Sequence, residues 1–134
     1  MPELKTYLSS QELDEFRDLL IERRRRLVES LDGLTRDVRE AYPTNNVGGE
    51  LSDLPTHPAD MGSDTFDRDM TMTLRTRQEH ELLEVDHALG RIEEGTYGIC
   101  EGTEEPISKE RLRAKPWTRY SINFVRRHPE LESK

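Results

Sequence analysis

The sequence has a single cysteine, Cys100, and no long apolar run. One cysteine excludes an intrachain disulfide, and no stretch approaches the roughly 20 apolar residues that a membrane-spanning helix needs. The first ten residues also lack the basic and then apolar order of a secretory signal. These absences predict a cytoplasmic protein with no membrane partner.

Apolar and aromatic residues are scarce as well, at 32% and 6% of the 134 residues. This is too little to bury a large core, whereas 36% charged residues of both signs suit the solvated surface of a long two-helix coiled coil. The net charge of -8 argues against coating or sequence-specific reading of DNA, because phosphate neutralisation requires clustered Lys and Arg. A partner with a basic surface is the better expectation.

The first helix is predicted over about residues 10–41. Ser9 and Glu12 have the spacing of a capping box, in which each side chain accepts a hydrogen bond from the other residue's backbone N–H. Apolar residues then recur at steps of three, four or seven and form one stripe: Leu13, Phe16, Leu20, Leu27, Leu31, Leu34 and Val38. Tyr42-Pro43 ends the helix, because proline cannot continue the helical hydrogen bonds.

A second helix is predicted over about residues 59–94, beginning near Pro58 or Ala59, and Gly95 suits the position just past its end. Its stripe consists of Phe66, Met70, Leu74, Leu82, Val85, Leu89 and Ile92. Residues 42–58 show no regular period and are predicted to be the tip loop between the helices, long enough to point to a functional segment. The two helices should pack antiparallel as a hairpin, residues 1–94, about 45 Å long.

Charge is uneven along this hairpin. Residues 51–69 form an acidic island, with five acidic side chains and one basic. The opposite charge is concentrated in the run Arg23–Arg26 of the first helix, whose members lie about 100° apart and cannot form one narrow stripe. The run is interpreted as a solvated face whose stems cover the partner helix, with a basic contact point as the alternative.

After Gly95 the pattern changes to a segment, residues 95–128, that we call the finger; residues 129–134 are a short tail. It contains Tyr97-Gly98-Ile99-Cys100, then Pro106-Ile107, Arg111-Leu112 and Ala114-Lys115-Pro116. In this order and without a gap it resembles the DksA/TraR family, whose zinc finger runs from YGxC-x2-C through an RL-containing helix and an A-x-P turn to C-x2-C. The resemblance implies a mainly α fold, a long antiparallel hairpin followed by a small zinc-finger-like module.

The family's four zinc-ligand positions correspond to Cys100, Thr103, Ser121 and Phe124. Only Cys100 offers a thiolate, a hydroxyl is a poor zinc donor, and Phe124 offers none, so no cofactor is expected here although the family binds zinc. His128, Glu101 and Glu104 lack the paired spacing of a structural site. The finger is predicted to be metal-free, with Cys100 as a small buried apolar residue and a packed cluster of Trp117, Tyr120, Ile122, Phe124 and Tyr97.

The resemblance extends to His57-Pro58-Ala59-Asp60, which is similar to the HPAD stretch of one subgroup of this family. In that subgroup the stretch occupies the place of the acidic coiled-coil tip, although the D-x-x-D-x-A spelling of other members is absent. The residues implied at the tip and in polymerase contact are Asp60, Asp64, His57, Asp67 and Asp53. For these side chains helix capping and dipole compensation, or loop packing for His57, are the structural alternatives.

What the resemblance implies is a regulator that binds RNA polymerase through its secondary channel and places an acidic tip near the catalytic centre, often with the alarmone ppGpp as a second partner. Asp60 and Asp64 are one helical turn apart and would share a face. Two alternatives stay open: a stress or interaction protein that kept the hairpin without polymerase regulation, and a dimeric coiled-coil scaffold. The chain is not expected to be an enzyme, because exposed aspartates lack a pocket that tunes their pKa.

Overall fold

The computed structural model describes residues 5–41 and 58–131, and the mainly helical fold is confirmed in that part of the chain. The α-helices are α1 (Ser10–Ala41), α2 (Pro58–Glu94), α3 (Lys109–Ala114) and α4 (Ile122–Arg127), followed by a 3-10 turn at Pro129–Leu131. Pro58 belongs to α2 rather than to the tip loop, since its fixed φ and missing N–H suit a first helical turn. The rest of the predicted tip loop lies outside the described residues.

Contacts divide the chain into two compact units. One unit consists of Met1–Arg26 and Glu81–Lys134, and the other of Leu27–His80. The first unit thus combines parts of both long helices with the finger. The boundary at residue 95 between hairpin and finger remains a prediction.

The start of α1 has the predicted capping box. Ser9 N–H donates to Glu12 Oε1 at 3.0 Å, and Glu12 N–H donates to Ser9 Oγ at 3.1 Å. Two of the amides that a helix start leaves without an intrahelical partner are satisfied in this way. The same Glu12 carboxylate also pairs with Lys109 of α3, and this hydrogen bond is the main cause that lowers the pKa of Glu12.

The end of α2 is likewise determined by a few neighbouring residues. Gly95 takes a φ of +82°, Gly95 N–H donates to Ile92 O at 3.3 Å, and Thr96 N–H donates to Arg91 O at 2.9 Å. This pair of bonds is the Schellman motif, which ends a helix at a left-handed residue. Gly95 O in turn accepts from Thr6 N–H at 2.8 Å, so the turn also holds the segment that precedes α1.

Within the first unit the two long helices run antiparallel. Arg17 pairs with Glu93, whereas Arg23 and Arg24, further along α1, pair with Glu81 and Asp86, which both lie earlier in α2. Arg25 and Arg26 both reach Glu22 on their own helix. All four arginines of the run are therefore in ion pairs, two of them with α2 and two within α1.

The core of the first unit lies where α1, α2 and the finger meet. Its buried apolar side chains are Leu8, Phe16, Leu20, Val85, Ala88, Ile92, Tyr97, Cys100, Ile107 and Leu112. Burial of each large side chain in this core stabilises the fold by about 1.5–3 kcal/mol, so the core makes the largest contribution to the stability of the unit. No described helix carries an apolar stretch long enough to cross a membrane.

In the second unit the predicted apolar stripe of α2 is not buried. Phe66, Met70 and Leu74 are 64%, 58% and 44% exposed, which corrects the expectation that this stripe faces a partner helix throughout. A helical period places apolar side chains on one face of a helix but does not by itself supply a partner that covers that face.

Gly90 within α2 and Gly95 just past its end provide a matched test of the helix end. Neither Gly90 nor Gly95 has an atom within 4 Å of an added Cβ, but only Gly95 has a left-handed φ. Gly95→Ala should therefore lower the free energy of unfolding by about 1–2 kcal/mol. Gly90→Ala should raise it by about 0.5–1 kcal/mol, because alanine loses less entropy in a helix. Urea unfolding of both variants checks this, and equal effects would contradict it.

Candidate functional site

The tip aspartates are only partly covered by the described residues. The backbone at Asp60 and Asp64 is helical, within the first two turns of α2, and their side chains lie outside the described part, as do His57 and Asp53 entirely. Asp67 is described, and its side chain is exposed. Steps of four and three residues along α2 put Asp60, Asp64 and Asp67 at neighbouring positions of the helix.

In the finger, the chain reverses direction immediately after Cys100. Cys100 N–H donates to Glu105 O at 2.8 Å, Ile107 N–H donates to Gly98 O at 2.7 Å, and an isolated bridge joins Ile99 to Pro106. Glu104 adopts a φ of 61°, the left-handed conformation that lets the turn close. This reversal folds Gly102 and Thr103 back over the Cys100 side chain.

The other two family positions lie at the start of α4. Ser121 is its N-cap, and Ser121 Oγ accepts from Phe124 N–H at 3.2 Å. Glu101 N–H donates to Arg119 O at 2.8 Å and fastens this segment to the turn after Cys100. All four positions predicted from the family register are thereby brought together.

The Cys100 thiol is the centre of this arrangement. Its sulfur is fully buried, which raises the pKa, but it receives hydrogen bonds from the Thr103 hydroxyl and from the backbone N–H groups of Ser121, Thr103 and Gly102. These donors favour the thiolate and together lower the pKa to about 7 from 9.0. The predicted burial of Cys100 is confirmed, and its role as a hydrogen-bond acceptor is an addition to that prediction.

The Phe124 ring lies against the turn that follows Cys100. It lies so close to Gly102 that three of its ring atoms would be within 3.0 Å of an added Cβ. On its other sides it stacks with Tyr120, with ring centroids 5.3 Å apart, and contacts His128 at 4.4 Å. Phe124 thus packs directly against the turn that carries two of the family positions.

The predicted aromatic cluster is confirmed only for Tyr120 and Phe124. Tyr97 is buried elsewhere, against Phe16 at 5.7 Å, and Ile122 is 40% exposed on the first turn of α4. Trp117 lies under the Arg23 guanidinium, 5.1 Å from the ring centre. The third ring of the stack is His128, a residue that the sequence interpretation left outside the cluster.

A zinc ion does not fit the residues present at the four positions. The Thr103 hydroxyl donates to the Cys100 sulfur, Ser121 Oγ accepts the Phe124 N–H, and Phe124 has no donor atom. Among the residues that the structure describes, no three His, Cys, Asp or Glu side chains are grouped as metal ligands. Structural zinc requires four such donors in a tetrahedron, and one thiolate does not supply them.

An arginine network that sequence reasoning missed joins the finger to α2. Arg91 has only 13% of its side chain exposed and donates to the carbonyls of Trp117 and Thr118 at 3.3 and 3.5 Å. Arg119 donates to Glu84 Oε2 at 2.7 Å and to His87 Nδ1 at 2.9 Å. The sequence contains no signal for these pairs, because arginine spacing alone does not specify a partner 26 to 35 residues away.

Comparison with known proteins agrees with this arrangement. The family described as prokaryotic dksA/traR C4-type zinc finger matches residues 95–123. An uncharacterized protein of Aquifex aeolicus is 36% identical over 104 residues, covering 78% of this chain and 72% of that protein. The chain belongs to the DksA/TraR family.

Two further relatives have names that state a role. The RNA polymerase-binding transcription factor DksA of Caulobacter vibrioides is 40% identical over 74 residues, which is 55% of this chain and 52% of the relative. The structure of transcription factor DksA2 from Pseudomonas aeruginosa superimposes with a TM-score of 0.76 at 29% identity, covering 96% of this chain and 91% of that one. The likeness to a DksA/TraR structure thus extends well beyond the finger.

Contact between Phe124 and Gly102 can be tested by a double-mutant cycle. Gly102→Ala should lower the free energy of unfolding by about 1–3 kcal/mol, because the new methyl group displaces the ring. In a Phe124→Ala background the same substitution should cost far less, since no ring is present. Simple additivity of the two substitutions in urea unfolding would contradict the contact.

The pKa of Cys100 predicts how stability depends on pH. The folded chain loses the thiol proton at about pH 7 and the unfolded chain at about 9.0, so rising pH favours the folded state between these values. The wild-type protein should gain roughly 3 kcal/mol over a Cys100→Ala variant across this window and keep the gain above it. Denaturant unfolding of both proteins on either side of the window measures the difference, and a constant difference would contradict the hydrogen bonds to sulfur.

Proposed function

We propose that this protein regulates transcription by binding RNA polymerase through its secondary channel, with the acidic end of the hairpin near the catalytic centre. The observation that carries the proposal is the structural likeness to DksA2, which extends over 96% of this chain and includes both long helices. The polymerase-binding role in the name of the Caulobacter relative supports the same assignment.

The charge of the hairpin end suits this role. Residues 51–69 carry five acidic side chains and one basic, and Asp67 in this stretch is exposed. Carboxylates of this kind interact favourably with basic side chains of a partner or with a bound magnesium ion. Asp60 and Asp64 are the proposed acting residues, with His57, Asp67 and Asp53 as further contacts.

Exposed apolar side chains on the same helix extend the proposed contact. Phe66, Met70 and Leu74 recur at steps of four residues, and each is 44% exposed or more. A row of large apolar side chains at one side of a helix is typical of a surface that docks on a protein partner. We propose this row as the part of α2 that supplies apolar contact while the aspartates supply charge.

The proposed role is non-catalytic and cytoplasmic. An exposed aspartate such as Asp67 lacks the enclosed pocket that tunes a catalytic group, so any chemistry would be that of the polymerase. The partner is RNA polymerase rather than a DNA sequence, in line with the net charge of -8. A joint action with ppGpp rests on the family resemblance alone.

The proposal is tested with the paired substitution Asp60→Ala and Asp64→Ala in the full chain. We expect polymerase binding to weaken by less than about tenfold, below 1.4 kcal/mol, while most of the effect on transcription in vitro is lost. The matched control is Glu15→Ala with Asp18→Ala, which removes the same charge from exposed positions of α1 and should leave transcription unchanged.

Two outcomes would contradict the proposal in different ways. Failure of the wild-type protein to bind polymerase would favour an interaction protein that kept the hairpin for another partner. Binding with an unchanged transcriptional effect in the Asp60 and Asp64 variant would reject the tip mechanism alone.

A further inference from the structure

In a four-cysteine finger, a metal ion fixes two turns of chain to each other. In small finger peptides zinc binding and folding are coupled, and the fold is lost without the metal. A finger that cannot collect four donors must join the same two turns by other means. Three kinds of contact in this chain connect them.

The first connection is by hydrogen bonds from the second turn to the first. Ser121 N–H donates to the Cys100 sulfur, and Glu101 N–H donates to Arg119 O at 2.8 Å. Both bonds join residues 18 to 21 positions apart, and so restrict the same loop that a metal would close. Thr103, at the second family position, turns its hydroxyl to the same sulfur.

The second connection is the Phe124 ring. It comes from the fourth family position and lies on the backbone at Gly102, between the first two positions. Tyr120 and His128 hold the ring on its other sides, at 5.3 and 4.4 Å. Because Gly102 has no side chain, the phenylalanine ring can lie directly against its backbone.

The third connection consists of hydrogen bonds that hold the chain leading into the second turn, between Pro116 and Ser121, from residues that belong to neither turn. Tyr97 Oη donates to Pro116 O at 2.8 Å, Arg91 donates to the Trp117 carbonyl, and Arg111 Nε donates to Tyr120 O at 3.2 Å. Each donor is at least partly buried, where a hydrogen bond is least exposed to competition from water. The chain between Pro116 and Ser121 is thereby held without any metal ligand.

We propose that the Phe124 ring on Gly102, together with the hydrogen bond from Glu101 N–H to Arg119 O, replaces zinc as the link between the two turns of the finger, so that this protein folds independently of zinc supply. The proposal concerns folding and does not depend on the polymerase role. It implies that the four positions still surround a common space, and that Phe124 is the residue that closes it to a metal.

The test combines metal analysis with thermal unfolding of the full chain, with and without a strong zinc chelator. The wild-type protein should contain far less than one zinc per chain, and its Tm should be unchanged by chelator or by added zinc. Phe124→Ala should lower the Tm, and zinc should not restore it, because one thiolate cannot hold the metal. About one zinc per wild-type chain, with a lower Tm in chelator, would overturn the proposal.

A triple variant tests whether the ring stands in the place of the metal. Thr103→Cys, Ser121→Cys and Phe124→Cys together restore the four thiolates of the family register. This variant should bind about one zinc per chain and unfold at a lower temperature when chelator is present. A triple variant that gains no zinc, whether folded or unfolded, would show that the four positions do not surround a metal-sized space and would reject the replacement.

Discussion

The structure of the first unit depends on the complete burial of Tyr97. Its ring packs against Phe16 of α1, its hydroxyl donates to Pro116 O, and its backbone follows directly on the turn that ends α2. Burial raises the pKa of Tyr97 far above its usual value, so the hydroxyl stays a donor at any physiological pH. One side chain thereby connects both long helices to the finger.

The ion pairs around this centre contribute orientation more than stability. Arg17, Arg23 and Arg24 are each 38–47% exposed at their side chains, and such pairs are worth about 0–1 kcal/mol. Their positions nevertheless favour one antiparallel register of α1 on α2. In a shifted register these arginines would lie opposite other residues of α2 instead of their three carboxylate partners. Arg91, which is largely buried and bound to backbone carbonyls, is the exception whose loss would leave polar groups unpaired.

Features with a local cause could be predicted from the sequence, and features that depend on distant contacts could not. The capping box at Ser9 and the helix end at Gly95 each require only a few neighbouring residues, and both are confirmed. The family register predicted which four positions come together in the finger. The acceptor role of Cys100 was missed because its donors include three backbone N–H groups, which no residue type reveals.

The predictions of side-chain packing that are wrong also concern contacts that the local sequence does not specify. Ile122 was placed in the aromatic cluster by its apolar character, but as the first residue of α4 it lies on the exposed side of a two-turn helix. The sequence predicts an exposed His128, and its side chain is 45% exposed, but its ring also packs on Phe124. The stripe of Phe66, Met70 and Leu74 has the period of a buried face, and period alone does not say what covers it.

The burial of Cys100 has a practical consequence for work on this protein. It is the chain's single thiol, and it has no solvent-exposed surface, so alkylating dyes reach it only when the finger opens. A second cysteine introduced at an exposed site of α2, such as Met70, would react selectively without removal of the native one. The wild-type sequence is thus already a suitable background for attaching a single fluorophore or spin label.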